Sequence, residues 1–403
     1  MSAATISSSK WKPSQSSERR GAPAMQSAVP ARRGTGPTAI RFTESEPRIQ
    51  AAKSLGTPED LEIQVPPDEG GVEFVAEKRR EIAAILSGRD DRLLVVVGPC
   101  SIHDSNAALD FAGRLADAAW AHTDDLLVVM RVYLEKPRTV LGWRGFINDP
   151  RLDGSFEMGE GLRLGRELMV RIMRLGLPVA SEFLDTMLGQ FYADLVSWGA
   201  IGARTVESQV HRDLASGLPM PIGFKNRTDG NVTVAVDAIR AARSAHWLAS
   251  LSRDGTPTVV GTSGNDEGHL VLRGGTRGTN YSAAAVRSAT RLLRKHRLPP
   301  YLIVDCSHGN SGRDPARQPA VASSLAARIR EGDRTIAGVM MESNLVGGAQ
   351  DPSRRPLVYG QSVTDPCLAW GDTVPVLADL ALAVRARRLA LEAIAPVRPT
   401  RRR

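Results

Sequence analysis

Short runs of β-branched and other apolar residues alternate with longer stretches of helical period between residues 93 and 342. Eight runs predict strands: Leu93–Val97, Leu127–Val132, Val179–Glu182, Ala200–Arg204, Pro221–Lys225, His269–Arg273, Tyr301–Asp305 and Ile336–Glu342. Most of the intervals predict helices, over Asn106–Ala121, Gly161–Leu175, Leu184–Trp198, Thr233–Ala242, Ser282–Lys295 and Ala320–Arg330. This alternation over about 300 residues predicts an α/β chain of the (β/α)8 (TIM) barrel class rather than a doubly wound sheet. No G-x-G-x-x-G turn follows the first strand, which also weakens a dinucleotide-binding reading. One irregularity interrupts the pattern. Trp247–Ser252 and Thr256–Thr262 flank an Asp-Gly turn, predicting a β-hairpin at about residues 247–262, inserted between strands 5 and 6. Such an insertion suits assembly or regulation.

Polar residues stand at the end of each predicted strand or just beyond it. They are Cys100, Arg131 with Lys136, Glu182, Arg204, Lys225, Arg273, His308 and Glu342. Barrel active sites are built at that rim. Five of these residues are cations, and Arg138 follows closely in "EKPRT", so the cleft requires an anionic ligand to offset their repulsion. Phosphate and carboxylate groups suit Arg forks and Lys point charges, and the second basic cluster suggests two anionic substrates. Cys100, His308, Glu342 and Asp365 together match a divalent transition metal. No C-x-x-C or H-E-x-x-H spacing supports that reading, so Cys100 stays open as metal ligand, nucleophile beside His308, or core residue.

The formal charge of +8 invites a nucleic-acid reading until the charge is located. Residues 1–41 carry seven cations against Glu18, and residues 384–403 carry seven against Glu392, which leaves the body mildly acidic. Aromatics make up 5% of the chain and do not interleave with the rim cations, so no nucleic-acid partner is expected. The expected organisation is a basic, Ser/Ala/Pro-rich tail (1–44), one catalytic barrel domain (45–388) and a basic C-terminal tail (389–403). The first tail reads as disordered or as a transit peptide. Three cysteines in 403 residues argue against a disulfide framework and for a reducing, cytoplasmic setting. No apolar run approaches a membrane span, so no membrane partner is expected.

Eight segments carry a resemblance: "GPCSIHD", "MRVYLEKPRT", "GWRGFINDP", "SWGAIGARTVESQVHR", "GFKNRTDG", "DCSHGNS", "GVMMESNLVGG" and "SVTDPCLAW". They closely resemble the type I 3-deoxy-D-arabino-heptulosonate 7-phosphate (DAHP) synthases from about residue 45 to residue 388. The resemblance implies a 3-deoxy-7-phosphoheptulonate synthase, the transferase that condenses phosphoenolpyruvate with erythrose 4-phosphate at the start of the shikimate pathway. It implies one divalent metal ion per subunit (Mn, Fe, Co or Zn) on Cys100, His308, Glu342 and Asp365. It further implies that Ala203, Arg204, Lys225 and Arg273 hold the phosphoenolpyruvate phosphate, while Arg131, Lys136 and Lys225 meet its carboxylate. Lys136, Pro137, Arg138 and Thr139 would place erythrose 4-phosphate. Lys136, Glu182 and His308 would be the catalytic groups, with Glu182 orienting water or Lys136, or else only balancing charge.

The family usually forms homodimers or homotetramers, and many members are inhibited by an aromatic amino acid bound near the hairpin and the N-terminal segment. Feedback control is expected here, with Gly189 and Pro219 in the segments that vary with effector. One departure is "RGGTRGTNY" (273–281), a residue longer than the usual segment and lacking its Pro. Cys367, two positions after Asp365, is expected close enough to Cys100 for a disulfide when metal is lost. The alternatives are a 3-deoxy-D-manno-octulosonate 8-phosphate synthase, which the "KPRT" loop and the hairpin disfavour, and a non-catalytic regulatory homologue.

Overall fold

The computed structural model describes residues 48–49 and 51–394. The tail readings at 1–44 and 395–403 lie outside the described residues. The described residues from Ser54 to Ile394 belong to the larger of two units. The larger unit opens with α1 (Pro58–Gln64) and α2 (Gly71–Leu86) and continues as β1 (Leu93–Gly98), α3 (Ser105–Trp120), β2 (Leu126–Arg131), α4 (Met158–Arg174), β3 (Val179–Glu182), β4 (Val196–Ile201), α5 (Gln209–Gly217), β5 (Ile222–Lys225) and α6 (Thr233–Ala242). A hairpin of β6 (Trp247–Leu251) and β7 (Pro257–Gly261) follows. The chain then resumes with β8 (His269–Leu272), α7 (Ala283–Lys295), β9 (Leu302–Asp305), the single turn α8 (His308–Ser311), α9 (Gln318–Arg330), β10 (Ile336–Asn344) and α10 (Trp370–Ile394).

Eight parallel strands pair in the order β1-β2-β3-β4-β5-β8-β9-β10, and β10 returns to β1 to close the barrel. The closing register sets Leu94 against Gly338 and Gly98 against Glu342. The two-stranded antiparallel hairpin stands apart from that sheet, between its fifth and sixth strands. The barrel strands are buried along their whole length, as expected where helices cover one face and the barrel interior the other. Ile82, Ile85 and Leu86 of α2 join Leu94, Val96, Val129, Trp198 and Met340 in a separate inner cluster.

Two expectations need correction. The stretch 184–198 is not a helix: it holds two 3₁₀ turns, Leu188–Phe191 and Ala193–Leu195, and then enters β4. The fourth strand accordingly begins four residues before the predicted Ala200 and ends at Ile201, leaving Arg204 in the following loop. The cause is packing. Trp198 fills the barrel interior, where its indole N–H donates to His269 Nε2 at 3.0 Å. Arg79 of α2 meanwhile caps the carbonyls of Ala193 (2.8 Å) and Val196 (2.9 Å), supplying partners that a longer helix would otherwise provide.

At the other end of the chain, α10 extends to Ile394, so residues 389–394 are helical. Its Arg388 pairs with Asp91 (2.7 Å) and Asp125 (2.8 Å), and Arg385 also reaches Asp125 at 2.6 Å. Part of the C-terminal positive charge thus belongs to the scaffold. Trp198→Ala, which empties the inner layer and strips His269 of its donor, is expected to lower unfolding free energy by about 3–5 kcal/mol in urea titration.

Candidate active site

The barrel turns its strand ends toward one cavity of about 400 Å³. Arg131 and Tyr133 come from the end of β2 and the loop beyond it. The guanidinium lies 4.0 Å over the phenol ring and donates to Glu342 Oε1 at 3.1 Å. Glu182 ends β3 and is buried. The turn after β4 leaves room for it through Gly202, where a Cβ would sit 2.2 Å from Glu182 Oε1. Ala203 and Arg204 follow that glycine into the wall of the cavity, which Lys225, Arg273, His308 and Asp365 also line.

The arginine-bearing side is tied together by side-chain amides. The Asn226 side-chain oxygen accepts from the Arg273 backbone N–H (2.8 Å) and from the Asn280 amide (3.0 Å), while its own amide donates to Gly274 O. Asn280 Oδ1 accepts from Gly274 N at 2.7 Å. The lengthened segment 273–281 is therefore anchored at both ends, despite its missing proline. Arg273 is lowered below its ordinary value, first by burial and then by the like charges of Arg313 and Arg204 acting against Asp305. Among the described residues Arg204, Arg273 and Arg313 have no carboxylate within ion-pair distance. A cavity that gathers unpaired guanidinium groups is built to receive an anion.

The opposite wall gathers acids and a thiol. Donor atoms of Cys100, Glu342 and Asp365 lie within 4.8 Å of one another. His308 approaches the same group, with Nε2 3.5 Å from Glu342 Oε1. Lys136 sits among them, its ammonium 2.7 Å from Cys100 Sγ and 3.0 Å from Asp365 Oδ2. Burial opposes charge on Asp365, yet Lys136 holds its carboxyl well below the usual range. The Cys100 thiol is pushed up to about 11 by burial, then by Glu342. The neighbourhood demands positive charge, and thiolate, imidazole and two carboxylates suit a divalent transition ion, so the residues present fit one.

The remaining expected residues fall less centrally. Pro137 lines the cavity, whereas Arg138 and Thr139 do not. Arg138 is exposed and spends its Nε–H on Trp143 O at 2.8 Å. Cys367 packs behind the donor group, its sulfur 3.3 Å from the Cys100 backbone N–H, and all three cysteines are free. Among the residues that escaped the sequence reading are Tyr133 and Arg313, which line the cavity, and Asp305, which is buried beside His308 and Lys225. Tyr133 could have been found from its two-residue offset from Arg131, which puts both on one strand face. Asp305 directly precedes "CSH" in a quoted segment. Arg313 carries no such signal.

A (β/α)8 barrel whose C-terminal rim joins unpaired arginines to a thiol-carboxylate-imidazole cluster defines a metal-assisted enzyme of anionic substrates. Residues 64–378 match the DAHP synthetase I family, and the chain belongs to that family. It is 50% identical over 354 residues to a phospho-2-dehydro-3-deoxyheptonate aldolase of Corynebacterium glutamicum, spanning 86% of this chain and 96% of that one. A Trp-sensitive relative from Escherichia coli is 49% identical over 85% of this chain and 98% of its own. A tyrosine-inhibited relative from Schizosaccharomyces pombe is 49% identical over 81% and 90%. The solved phospho-2-dehydro-3-deoxyheptonate aldolase of Francisella tularensis superposes with a TM-score of 0.83 at 48% identity, covering 85% of this chain and all of that one.

Glu135, beside Lys136, offers a pH test. Burial raises its carboxyl from 4.5 to about 7, against the Asp185 N–H that donates to it at 3.3 Å. Between those values the folded chain binds more protons than the unfolded chain, so this group's contribution to stability is lost as pH rises from 4.5 to 7. Glu135→Gln is expected to flatten that loss, by roughly 3 kcal/mol across the window, when urea unfolding is compared at pH 5 and pH 8.

Proposed function

We propose that this enzyme condenses phosphoenolpyruvate with D-erythrose 4-phosphate and water to give DAHP and inorganic phosphate, using one divalent metal ion per subunit drawn from Mn, Fe, Co and Zn. The observation that carries the reading is the meeting, in one cavity, of unpaired Arg204 and Arg273 with the Cys100–Glu342–Asp365 donor group. Arg204, Lys225 and Arg273, with the Ala203 amide, clamp the phosphoenolpyruvate phosphate. Arg131, Lys136 and Lys225 take its carboxylate. Lys136 closes the metal side and, with Pro137, Arg138 and Thr139, orients the sugar phosphate. Cys100, His308, Glu342 and Asp365 hold the ion, which supplies Lewis acidity to the aldehyde oxygen when bound.

The remaining chemistry falls to the chain's own residues. The clamps hold carbon 3 of phosphoenolpyruvate at attack distance from the aldehyde, which converts an encounter into a positioned reaction. Glu182, above Gly202, orients the water that adds at carbon 2. Arg and Lys donors then stabilise the charge that gathers on the departing phosphate as its C–O bond breaks.

Relatives named Trp-sensitive and tyrosine-inhibited support an aromatic amino acid effector here. The hairpin is placed to relay it, since Gln190 of the turn after β3 donates to Ser250 Oγ at 3.2 Å and Glu59 N donates to Arg253 O at 2.9 Å. A groove of about 410 Å³ between Pro219 and the hairpin residues Val260–Thr262 is the site we assign to it. The exposed Trp247 and Val259 give the hairpin an apolar face suited to a homodimer or homotetramer. Among the described residues no helix is long and apolar enough to cross a membrane. The free thiols accord with a cytoplasmic setting.

Phosphate release from phosphoenolpyruvate tests the reading. Release is expected only with erythrose 4-phosphate present, is lost on EDTA treatment, and returns with Mn²⁺ or Zn²⁺. Turnover without the aldehyde, or undiminished by chelator, would contradict it. Lys225→Met, which unpairs both anionic ends of phosphoenolpyruvate, is expected to lower kcat/KM at least about a thousandfold.

A further inference from the structure

Asp305 ends β9 with its side chain wholly buried, and its two oxygens do different work. One lies 2.9 Å from His308 Nδ1 and 3.3 Å from Lys225 Nζ. The other accepts from the Ser307 backbone N–H at 3.0 Å and from the Ser307 hydroxyl at 2.6 Å. That hydroxyl also stands 2.8 Å from His308 Nδ1. His308 itself adopts a left-handed backbone (φ 55°), uncommon for a residue with a side chain and held only where surrounding contacts require it.

We infer that Asp305 is a positioning residue shared by both halves of the site: one carboxylate aims the His308 imidazole at the metal donors and anchors the Lys225 ammonium at the phosphate clamp. This rests on the reading of the site given above. Nδ1 meets the Ser307 hydroxyl, which itself bonds Asp305, and lies 2.9 Å from the second Asp305 oxygen, so the nitrogen left to face Glu342 is Nε2, as where an outer carboxylate orients a metal-bound histidine. Lys225 gains differently. Its four-carbon stem is flexible, and an ion pair with a buried, immobile carboxylate sets where its charge stands before substrate arrives. Asp305 is wholly buried, so its carboxylate depends on the Lys225 ammonium 3.3 Å away, because an isolated charge in that position is strongly disfavoured.

The test uses full-length protein stripped of metal, comparing wild type with Asp305→Asn and Ser307→Ala. Zn²⁺ affinity is read by chelator competition, phosphoenolpyruvate affinity by calorimetry without metal, and folding by thermal unfolding. Asp305→Asn is expected to weaken Zn²⁺ binding about 10–100-fold and phosphoenolpyruvate binding roughly tenfold. Ser307→Ala, which removes the hydroxyl contacts to His308 and to one Asp305 oxygen but leaves the Lys225 contact to the other oxygen, is expected to weaken Zn²⁺ binding and leave metal-free phosphoenolpyruvate binding unchanged. A folded Asp305→Asn protein that keeps either affinity overturns the shared role. Should that variant fail to fold, unchanged Zn²⁺ affinity in Ser307→Ala overturns it instead. Wild-type protein that binds neither ligand would overturn the reading of the site as well, an outcome distinct from wild-type binding with unaffected variants.

Discussion

The β1–β10 pairing sets Gly98 beside Glu342, and the acidic side of the site follows from that register. Cys100, two residues beyond Gly98, is carried to within reach of Glu342, although 242 positions separate them in sequence. Arg131 from the adjoining β2 meets the same carboxylate at 3.1 Å. A slip of one residue would turn Glu342 toward the helices and Arg131 away from the cavity, because side chains alternate between the faces of a strand. Closure of the barrel and assembly of the donor group are one event. The short pairing of Ser343 with Leu368 extends the constraint, tying the loop that bears Asp365 to the same strand.

Two opposed fields meet across the cavity. On one wall, arginines crowd without acidic partners. On the other, three acidic donors crowd around a lysine. Neither wall is a comfortable arrangement for a folded chain, and each is held by neutral scaffolding: Asn226 and Asn280 behind the arginines, the buried strand ends behind the donors. Lys136 lines the same cavity with its ammonium paired to Cys100 and Asp365, so part of the charge on the acidic wall is balanced by the chain itself.

Most of the barrel was legible because β-branched runs between helical stretches have few other solutions. The eight strand ends also announced the site, since polar residues recur at each of them. The fourth unit was misread because "LVSWGAI" is one buried run, and its middle residue, Trp198, serves the barrel interior rather than a helix face. Periodicity cannot separate those cases over so short an interval. Cys100 could not be read alone, as a buried thiol is usually inert and its meaning here lies in Glu342 and Asp365, which only the closed sheet brings near. Asp305 escaped for a related reason. An acid beside a histidine in sequence has many uses, and its approach to Lys225 is purely three-dimensional. The exposed Arg138 shows the reverse case, a motif residue whose role depends on what the loop meets.

Net charge was the least informative quantity, and pairing explains why. Arg388 and Arg385 of α10 belong to a run that reads as a basic tail, yet each faces Asp91 or Asp125 at the start of β1 or β2. Arg166 likewise is buried against Asp194. These cations are neutralised by the scaffold and say nothing about partners. Arg204, Arg273 and Arg313 contribute no more to the formal total, but they converge on one cavity with no carboxylate within ion-pair distance among the described residues. Arg273 is buried, and a buried guanidinium without a counter-ion is unfavourable until an anion arrives, while the exposed Arg204 and Arg313 add positive field at the same cavity. What points to an enzyme of phosphorylated acids is therefore not the total of 52 Lys and Arg residues but the few that the fold gathers around one cavity without an acidic partner among the described residues.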